Sequence, residues 1–292
     1  MDQLQHIRRF NRLVTQRIGV LQASYLGQGR PLGEARLLFE IGESGADVRE
    51  LRIRLDLDSG YVSRVLRTLE GQGLITVEKS PADGRVRIAR LTPGGVDEVR
   101  TYDLLSDRVA RSLIEPLDEG QRTRLVAAMG EVERLLRASA VTLHVEAPGS
   151  TDARACVANY LGELSQRFDT GYDPKAAAPT DDAQFSAPDG VFLIARLDGR
   201  AVGCGALKRP HAGTGEIKRL WIDPATRGLG LGRKLLTALE DAARDMGLAS
   251  VRLDSNRTLT EAIALYKKCG YVEVARFNDD PYAQMWFEKR LG

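Results

Sequence analysis

The sequence predicts two domains, a mainly α domain followed by an α+β domain, and three observations lead there. The chain has 292 residues, more than the roughly 100 to 200 of one ordinary domain. Through the first 140 positions apolar residues recur mostly at helical steps. From 141 onward short alternating strands and helices mix. The expected division is therefore 1–140 and 141–292.

The elements follow in order. Leu4, Ile7, Val14, Ile18, Leu21 and Tyr25 fall on one stripe, predicting an amphipathic helix over 1–26 that stops at Gly27-Gln28-Gly29. Pro31 suits a helix start, and Ala35, Leu37, Leu38 and Ile41 continue that helix to the break at Gly42-Glu43-Ser44-Gly45. Two short helices are expected over 47–54 and 59–71. Ile75 and Val77, the turn Pro81-Ala82-Asp83-Gly84, then Val86 and Ile88 alternate around a bend, which reads as a β-hairpin. Helices over 94–114 and 119–140 close the first domain. In the second, strands are expected at 141–145, 191–197, 201–208, 215–223, 250–255, 271–276 and 283–290. Helices are expected at 152–168, 229–246 and 261–269, with a loop over 171–189.

Composition removes several functions. No apolar run approaches the roughly 20 residues of a membrane helix, and the N-terminus lacks the apolar core of a secretory signal, so a cytoplasmic protein without membrane association is expected. Cys156, Cys204 and Cys269 are odd in number and have no CxxC spacing, which argues against a disulfide framework or a thiolate metal site. His6, His144 and His211 are isolated, too few for a zinc cluster or a Ser/His/Asp triad. No metal is expected. Lys and Arg number 42 against 40 Asp and Glu, so only local charge placement can indicate a partner.

One such placement lies at 58–92. Asp58 can cap a helix start, Leu57 can staple against Val62, and Gly71 and Gly73 suit the exit. Val62, Val65, Leu66 and Leu69 form a buried stripe, which leaves Ser59, Ser63, Arg64 and Arg67 facing away, where hydroxyls and guanidinium groups can meet bases and phosphates. Lys79, Arg85, Arg87 and Arg90 on the hairpin make six basic residues against three acidic ones over 59–92. The phrase Ser59-Gly-Tyr-Val-Ser-Arg-Val-Leu-Arg-Thr-Leu-Glu-Gly-Gln-Gly-Leu-Ile75, with Asp83-Gly84-Arg85 at the hairpin tip, resembles the MarR family of winged helix-turn-helix regulators. The resemblance covers about 1–140. It implies binding to double-stranded operator DNA, with Arg85 in the minor groove and Asp83 holding it. Ser59, Tyr61, Ser63, Arg64 and Arg67 become major-groove candidates, and Lys79 and Arg87 further DNA contacts. It also implies a homodimer built from 1–26 and 94–140. Tyr61 can equally be core.

The second placement is glycine-rich. Gly215 to Leu236 runs as a strand, a Pro-containing turn, a Gly-rich loop and a helix, and backbone N–H groups at such a helix start suit a pyrophosphate. A P-loop would need Gly-Lys-Ser/Thr, whereas Gly232 is followed by Arg233-Lys234-Leu235. The dinucleotide fingerprint would need glycine where Arg233 stands. Arg227-Gly228-Leu229-Gly230-Leu231-Gly232 instead resembles the Arg/Gln-x-x-Gly-x-Gly/Ala signature of the GNAT acetyltransferase superfamily, a likeness that extends over 141–292. Val251-Arg-Leu-Asp-Ser-Asn256 and Ala264-Leu-Tyr266-Lys-Lys-Cys-Gly-Tyr271 resemble the family's cofactor-side strand and its tyrosine-bearing helix. The resemblance implies acetyl-CoA as acyl donor, bound by Leu220, Trp221, Ile222, the 227–233 loop including Arg233, Asn256 and Tyr266. Asn256 can alternatively cap the following turn.

N-acetyl transfer needs a proton taken from the amine and one given to the departing thiolate. Glu216 is the base candidate and Tyr266 the acid candidate, while strand N–H groups near Leu220 and Ile222 can stabilise the developing oxyanion. Phe168, Tyr172 and Tyr282 are expected to line the acceptor pocket, and Lys218 or Arg219 to bind an acceptor carboxylate. Which of the two faces the acceptor stays open, because the resemblance implies a bulge in this strand that reverses side-chain alternation. The expected function is a DNA-binding regulator that also acetylates a small amine or amino-acid-like acceptor. The alternatives are a regulator that only senses acetyl-CoA or a metabolite, and a protein-lysine acetyltransferase.

Overall fold

The computed structural model describes residues 2–19, 24–81, 83–168, 171–173, 182–211 and 213–292. The chain divides into two compact units, Met1–Met129 and Gly130–Gly292. That division falls inside a helix, ten residues or so before the expected boundary, because the long helix continues through it without a break.

The first unit is helical with a small sheet. Helix α1 (Gln3–Arg17) starts on Asp2, whose carboxylate accepts from the Leu4 N–H. The sequence predicts a helix to residue 26, but α1 ends at Arg17 and Gly19 turns left-handed at φ 73°. Leu21 lies outside the described residues. Helix α2 (Leu32–Ile41) buries Ala35, Leu37, Leu38 and Ile41. Strand β1 (Ala46–Asp47) was not legible from its two residues; helix α3 (Val48–Arg54) follows, capped by Asp47. Helix α4 (Ser59–Gly71) is capped by Asp58, which accepts from the Tyr61 N–H at 2.8 Å. Its Val62, Val65, Leu66 and Leu69 meet the buried face of α2 in one core. Strands β2 (Ile75–Lys79) and β3 (Arg87–Leu91) pair antiparallel, with β1 on the other edge of β3. Arg30 joins the pieces: its guanidinium donates to Glu98 at 2.6 Å, Glu34 at 2.9 Å and Gln72 at 2.7 Å.

Helices α5 (Pro93–Ile114) and α6 (Glu119–Ala140) bury little of their apolar stripes. Tyr102 is the one large side chain buried on α5, and α6 buries none. Leu4, Ile7, Phe10 and Leu13 on α1, Leu104 on α5, and Val126, Met129, Leu135 and Leu136 on α6 are all exposed.

The second unit is an α+β fold around a seven-stranded sheet. Its elements are β4 (Thr142–Val145), α7 (Thr151–Arg167), β5 (Gly190–Leu197), β6 (Arg200–His211), β7 (Thr214–Ile222), α8 (Leu231–Asp245), β8 (Ser250–Ser255), α9 (Thr260–Lys268), β9 (Val272–Val274) and β10 (Met285–Arg290). The sheet order is β4-β5-β6-β7-β8-β10-β9, antiparallel everywhere except between β7 and β8. Leu231, Leu235, Leu236 and Leu239 of α8 pack on one face of the sheet, while Cys156 of α7 joins Phe185, Phe192 and Trp221 on the other.

Two departures from regularity create the site. The parallel β7–β8 pairing covers only Thr214, Gly215 and Glu216 against Ser250, Val251 and Arg252, so beyond Glu216 the two strands part. Just there β7 is bulged. Cys204 and Ala206 of β6 face Trp221 and Lys218, one residue more on β7 than on β6, and Arg219 takes the left-handed φ of 55°.

Candidate active site and nucleic-acid interface

Two cavities open where β7 and β8 separate. One, of about 350 Å³, is walled by α7, β7, β8 and the 278–283 segment; the other, of about 620 Å³, runs along the start of α8 and across α9. Tyr160, Leu164, Leu220, Leu259, Ala262 and Tyr266 line both. Tyr266 therefore stands on the wall between them.

The larger cavity contains the glycine-rich turn. Gly228 and Gly230 adopt φ of 84° and 76°, conformations costly for any other residue, and Gly230 is the N-cap of α8. Gly232 has ordinary dihedrals, and a Cβ there would lie 2.9 Å from Leu265 Cδ2, so a side chain at this position must displace the tip of that leucine. Trp221, Ile222, Arg227, Leu231 and Arg233 line the same cavity. Leu229, expected to touch the cofactor, packs its side chain against the core of the sheet, which leaves its backbone for the glycine turn. A helix start with unpaired first-turn N–H groups, two left-handed glycines and nearby Arg227 and Arg233 fits an extended anionic group such as the pyrophosphate of acetyl-CoA.

Glu163 organises the mouth of this cavity. Its carboxylate accepts from Trp221 Nε1 at 2.9 Å, from Arg167 at 3.1 Å and from Arg227. Burial works to raise its pKa, but the hydrogen bonds from Arg227, Arg167 and Trp221 outweigh this and hold it below the ordinary carboxylate range. The sequence reasoning missed Glu163. The signal available was its place three residues after Tyr160, one turn along the same helix face.

The smaller cavity is charged and aromatic. Glu216 and Lys218, two residues apart on β7, share a face, and Lys208 stands opposite Glu216 in the β6–β7 register. Glu216 Oε2 lies 3.1 Å from Lys208 Nζ, and Oε1 lies 3.1 Å from Lys218 Nζ. Lys218 also contacts Asp254 on β8 and lies 4.0 Å from Asp280. Burial disfavours the Glu216 carboxylate, yet Lys218 and Lys208 prevail and depress its pKa; Lys218 shifts upward because Asp254 and Glu216 outweigh its own burial. Asn278 donates to Asp254 at 2.9 Å and accepts from Trp286 Nε1 at 2.9 Å. Asp254, Asp280 and Asn278 were not singled out from sequence, since their convergence requires the β8–β10 fold.

The bulge answers the question of parity. On a regular strand neighbours point to opposite faces, but Lys218 and Arg219 both line this cavity. Arg219 Nη1 lies 2.8 Å from Asp182, and its guanidinium sits 4.8 Å from the Phe185 ring centre. Phe168, Tyr172 and Tyr282 come together as one wall, with the Tyr172 and Tyr282 rings 4.6 Å apart. Asn256 lines this cavity and not the glycine one. Its side chain accepts from Thr258 N and Oγ1 at 3.0 and 2.9 Å and donates to the Tyr282 carbonyl at 2.9 Å, so it fastens the turn after β8. Tyr266 is buried, and that burial, with Asp254 nearby, pushes its pKa well above the ordinary phenol value. Among the described residues no group of three or more His, Cys, Asp or Glu is arranged to hold a metal ion, and no helix is long and apolar enough to cross a membrane.

In the first unit, Ser59, Arg64 and Arg67 of α4 are exposed and Ser63 half-buried. Tyr61 packs on α2, its hydroxyl occupying the space a Cβ at Gly33 would need, so its ring belongs to the core edge. At the hairpin, Lys79 and Arg87 are paired in register and both exposed. Asp83 Oδ1 accepts from the Arg85 N–H at 3.0 Å and from its Nε at 3.2 Å, while the Arg85 side chain is 92% exposed. The Arg85 backbone N–H, and then its guanidinium, lower the Asp83 pKa.

Comparison with known proteins agrees with both units. The MarR family model matches residues 28–86, and that of the acetyltransferase (GNAT) family matches 158–271. An IAA acetyltransferase of Azospirillum brasilense is 36% identical over 136 residues, 45% of this chain and 84% of the relative. An uncharacterised N-acetyltransferase of Schizosaccharomyces pombe is 33% identical over 134 residues, 44% of this chain and 80% of the relative. A GNAT-family acetyltransferase structure from Staphylococcus aureus aligns with TM-score 0.47 at 16% identity, covering 52% of this chain and all of that one. On the two relatives, each more than 30% identical and covered over 80% or more of its length, the chain belongs to the GNAT family of N-acetyltransferases, and its residues 28–86 match the MarR family model ahead of that domain.

Proposed function

We propose that the protein is a bifunctional regulator: 1–140 bind operator DNA as a homodimer, and 141–292 transfer acetyl from acetyl-CoA to a small amine or amino-acid-like acceptor. The observation that carries the catalytic half is Tyr266, whose ring lines the donor-side and acceptor-side cavities together. A phenol on that wall can give its proton to a departing thiolate, and its raised pKa keeps the proton available throughout the working pH range.

The α8 N-terminus, Gly228, Gly230, Arg227 and Arg233 hold the donor's pyrophosphate. Strand N–H groups near Leu220 to Ile222 face the carbonyl oxygen as it gains charge, and Glu216 takes the amine proton directly or through water. Because two lysines depress its pKa, Glu216 is a weak base and fully ionised at neutral pH; it acts on an amine that has a neutral fraction. Asn256 positions the turn behind the acceptor. A metabolite sensor would need the phosphate cradle but not the Tyr266, Glu216 and Asp254 arrangement, which favours catalysis. The exposed tip of Arg85 and the exposed face of α4 support the DNA-binding half, and the uncovered stripes of α1, α5 and α6 support the dimer.

The deciding experiment is CoA release from acetyl-CoA across a panel of amino acids, polyamines and aminoglycosides. Acetylation of at least one member supports the enzyme. Tight acetyl-CoA binding with no acetylated amine would replace it with the sensor reading.

A further inference from the structure

The acceptor-side cavity narrows the acceptor's chemistry, and this step rests on the acetyltransferase reading above. Its volume of about 350 Å³ is at the small end for ligand sites. Part of its wall is Phe168, Tyr172 and Tyr282, with ring centres 4.6 to 5.9 Å apart. Such a wall suits another ring, which gains from offset and edge contacts. The charges around the rest are balanced: Lys208, Lys218 and Arg219 against Glu216, Asp254 and Asp280. A polycation entering there meets as many cations as anions. A zwitterion can use one of each.

The three cations differ in how freely they can be used. Lys218 lies among three carboxylates, and Lys208 holds the buried Glu216 at 3.1 Å; drawing Lys218 away takes the lysine from Asp254, and drawing Lys208 away leaves the buried Glu216 to share Lys218 with Asp254. Arg219 has as its carboxylate partner, among the described residues, only Asp182, whose side chain is 58% exposed. Water can take over an exposed carboxylate with little loss. Arg219 is also held in place by its bulge backbone and by the Phe185 ring beneath it, and a fixed guanidinium offers a carboxylate two parallel N–H donors.

We infer that the acceptor is an aromatic α-amino acid, with its carboxylate taken by Arg219 in exchange for Asp182 and its ring against Phe168, Tyr172 and Tyr282. Its amino group then lies on the carboxylate side of the cavity, towards Tyr266. In the transfer the amine lone pair forms the C–N bond to the acetyl carbon and the C–S bond breaks. The nitrogen loses one proton to Glu216 or to water, and the sulfur gains one from Tyr266.

The test measures CoA release by the full chain with L-phenylalanine, phenethylamine, L-alanine and spermidine, alongside calorimetric titration of L-phenylalanine. Expected is a kcat/KM for phenylalanine about tenfold or more above phenethylamine, which lacks the carboxylate, and above alanine, which lacks the ring. Arg219→Met should bring the phenylalanine to phenethylamine ratio towards one, with Arg219→Lys restoring part of it. Preference for phenethylamine or spermidine would overturn the inference while leaving the acetyltransferase reading intact. Binding of phenylalanine without transfer to any amine would support the cavity assignment and overturn that reading. Neither binding nor transfer would overturn both.

Discussion

The Lys218 ammonium lies 3.1 Å from the buried Glu216 carboxylate on the wall of the acceptor-side cavity. The pairing, with Lys208, keeps the Glu216 pKa below the ordinary carboxylate value, so Glu216 cannot produce a rise in rate near neutral pH. That rise belongs to the acceptor amine. Glu216→Gln should lower turnover most at neutral pH and recover part of it as the pH approaches the amine's pKa. A rate deficit that stays constant from pH 7 to 10 would remove Glu216 from the proton path. The same pair sets an acid limit on stability. A depressed folded-state pKa contributes stability that is complete above the unfolded value and is lost as the pH falls through the folded one. Thermal melts below the ordinary carboxylate range should therefore fall less steeply in Glu216→Gln than in the parent.

Tyr266→Phe keeps the ring on the wall between the cavities and removes only the hydroxyl. Acetyl-CoA affinity should persist while turnover drops by about 10²–10⁴-fold, the usual range for a general acid. Calorimetry and CoA-release rates on the same preparation check both halves. Parental turnover would show that another group protonates the thiolate.

Gly230 and Gly232 should both lose acetyl-CoA binding on replacement by valine, for different reasons. At Gly230 the φ of 76° cannot be kept without strain. At Gly232 the backbone tolerates a side chain, but Leu265 stands 2.9 Å from the new Cβ. A second change, Leu265→Ala, should restore binding to the Gly232 variant only. Isothermal titration of the four proteins separates backbone strain from collision.

Much of this site was legible in the sequence because its signals are local. The 227–232 glycine run, the Asp58 cap and the Asp83-Gly84-Arg85 tip each lie within a few residues, and each appears in the structure at its expected place. What escaped was set by register and convergence. Glu163, Asp254 and Asn278 reach the site from α7, β8 and the segment before β10, and no spacing in one chain reports such meetings. A bulge in this strand was expected from the family resemblance, but its place at Arg219 is tertiary, since the β6 partner reveals the extra residue. The helix expected to run to residue 26 failed because a regular apolar stripe continued past the left-handed Gly19, and periodicity does not register a backbone reversal.

Arg85→Ala should weaken operator binding by roughly 1–3 kcal/mol and leave acetyl transfer unchanged. Asp83→Asn should weaken it less, because the Arg85 N–H keeps an acceptor but the guanidinium loses its charged one. Fluorescence anisotropy with operator DNA measures both. Equal affinity for parent and Arg85→Ala would end the minor-groove assignment.

The exposed Leu4, Ile7, Phe10 and Leu13 of α1 and the uncovered stripes of α5 and α6 should be covered by a second copy. Sedimentation should give a dimer at micromolar concentration, and Phe10→Asp should shift it towards monomer. A parental protein that sediments as a monomer would oppose the two-fold arrangement and its half-site spacing of about one DNA turn.

The Asp83–Arg85 clasp at the hairpin tip has a consequence for ionic conditions. Its guanidinium is almost fully in solvent and its carboxylate partly so, so added salt should weaken the clasp itself as well as the attraction between Arg85 and DNA. Salt thus acts twice on one residue, first by loosening the arginine before contact and then by competing for the phosphates. Operator affinity should fall more steeply with salt than the number of phosphate contacts alone requires, and neutralising Asp83 should remove the excess, an outcome that would make the tip an ionic-strength sensor built from two side chains two residues apart.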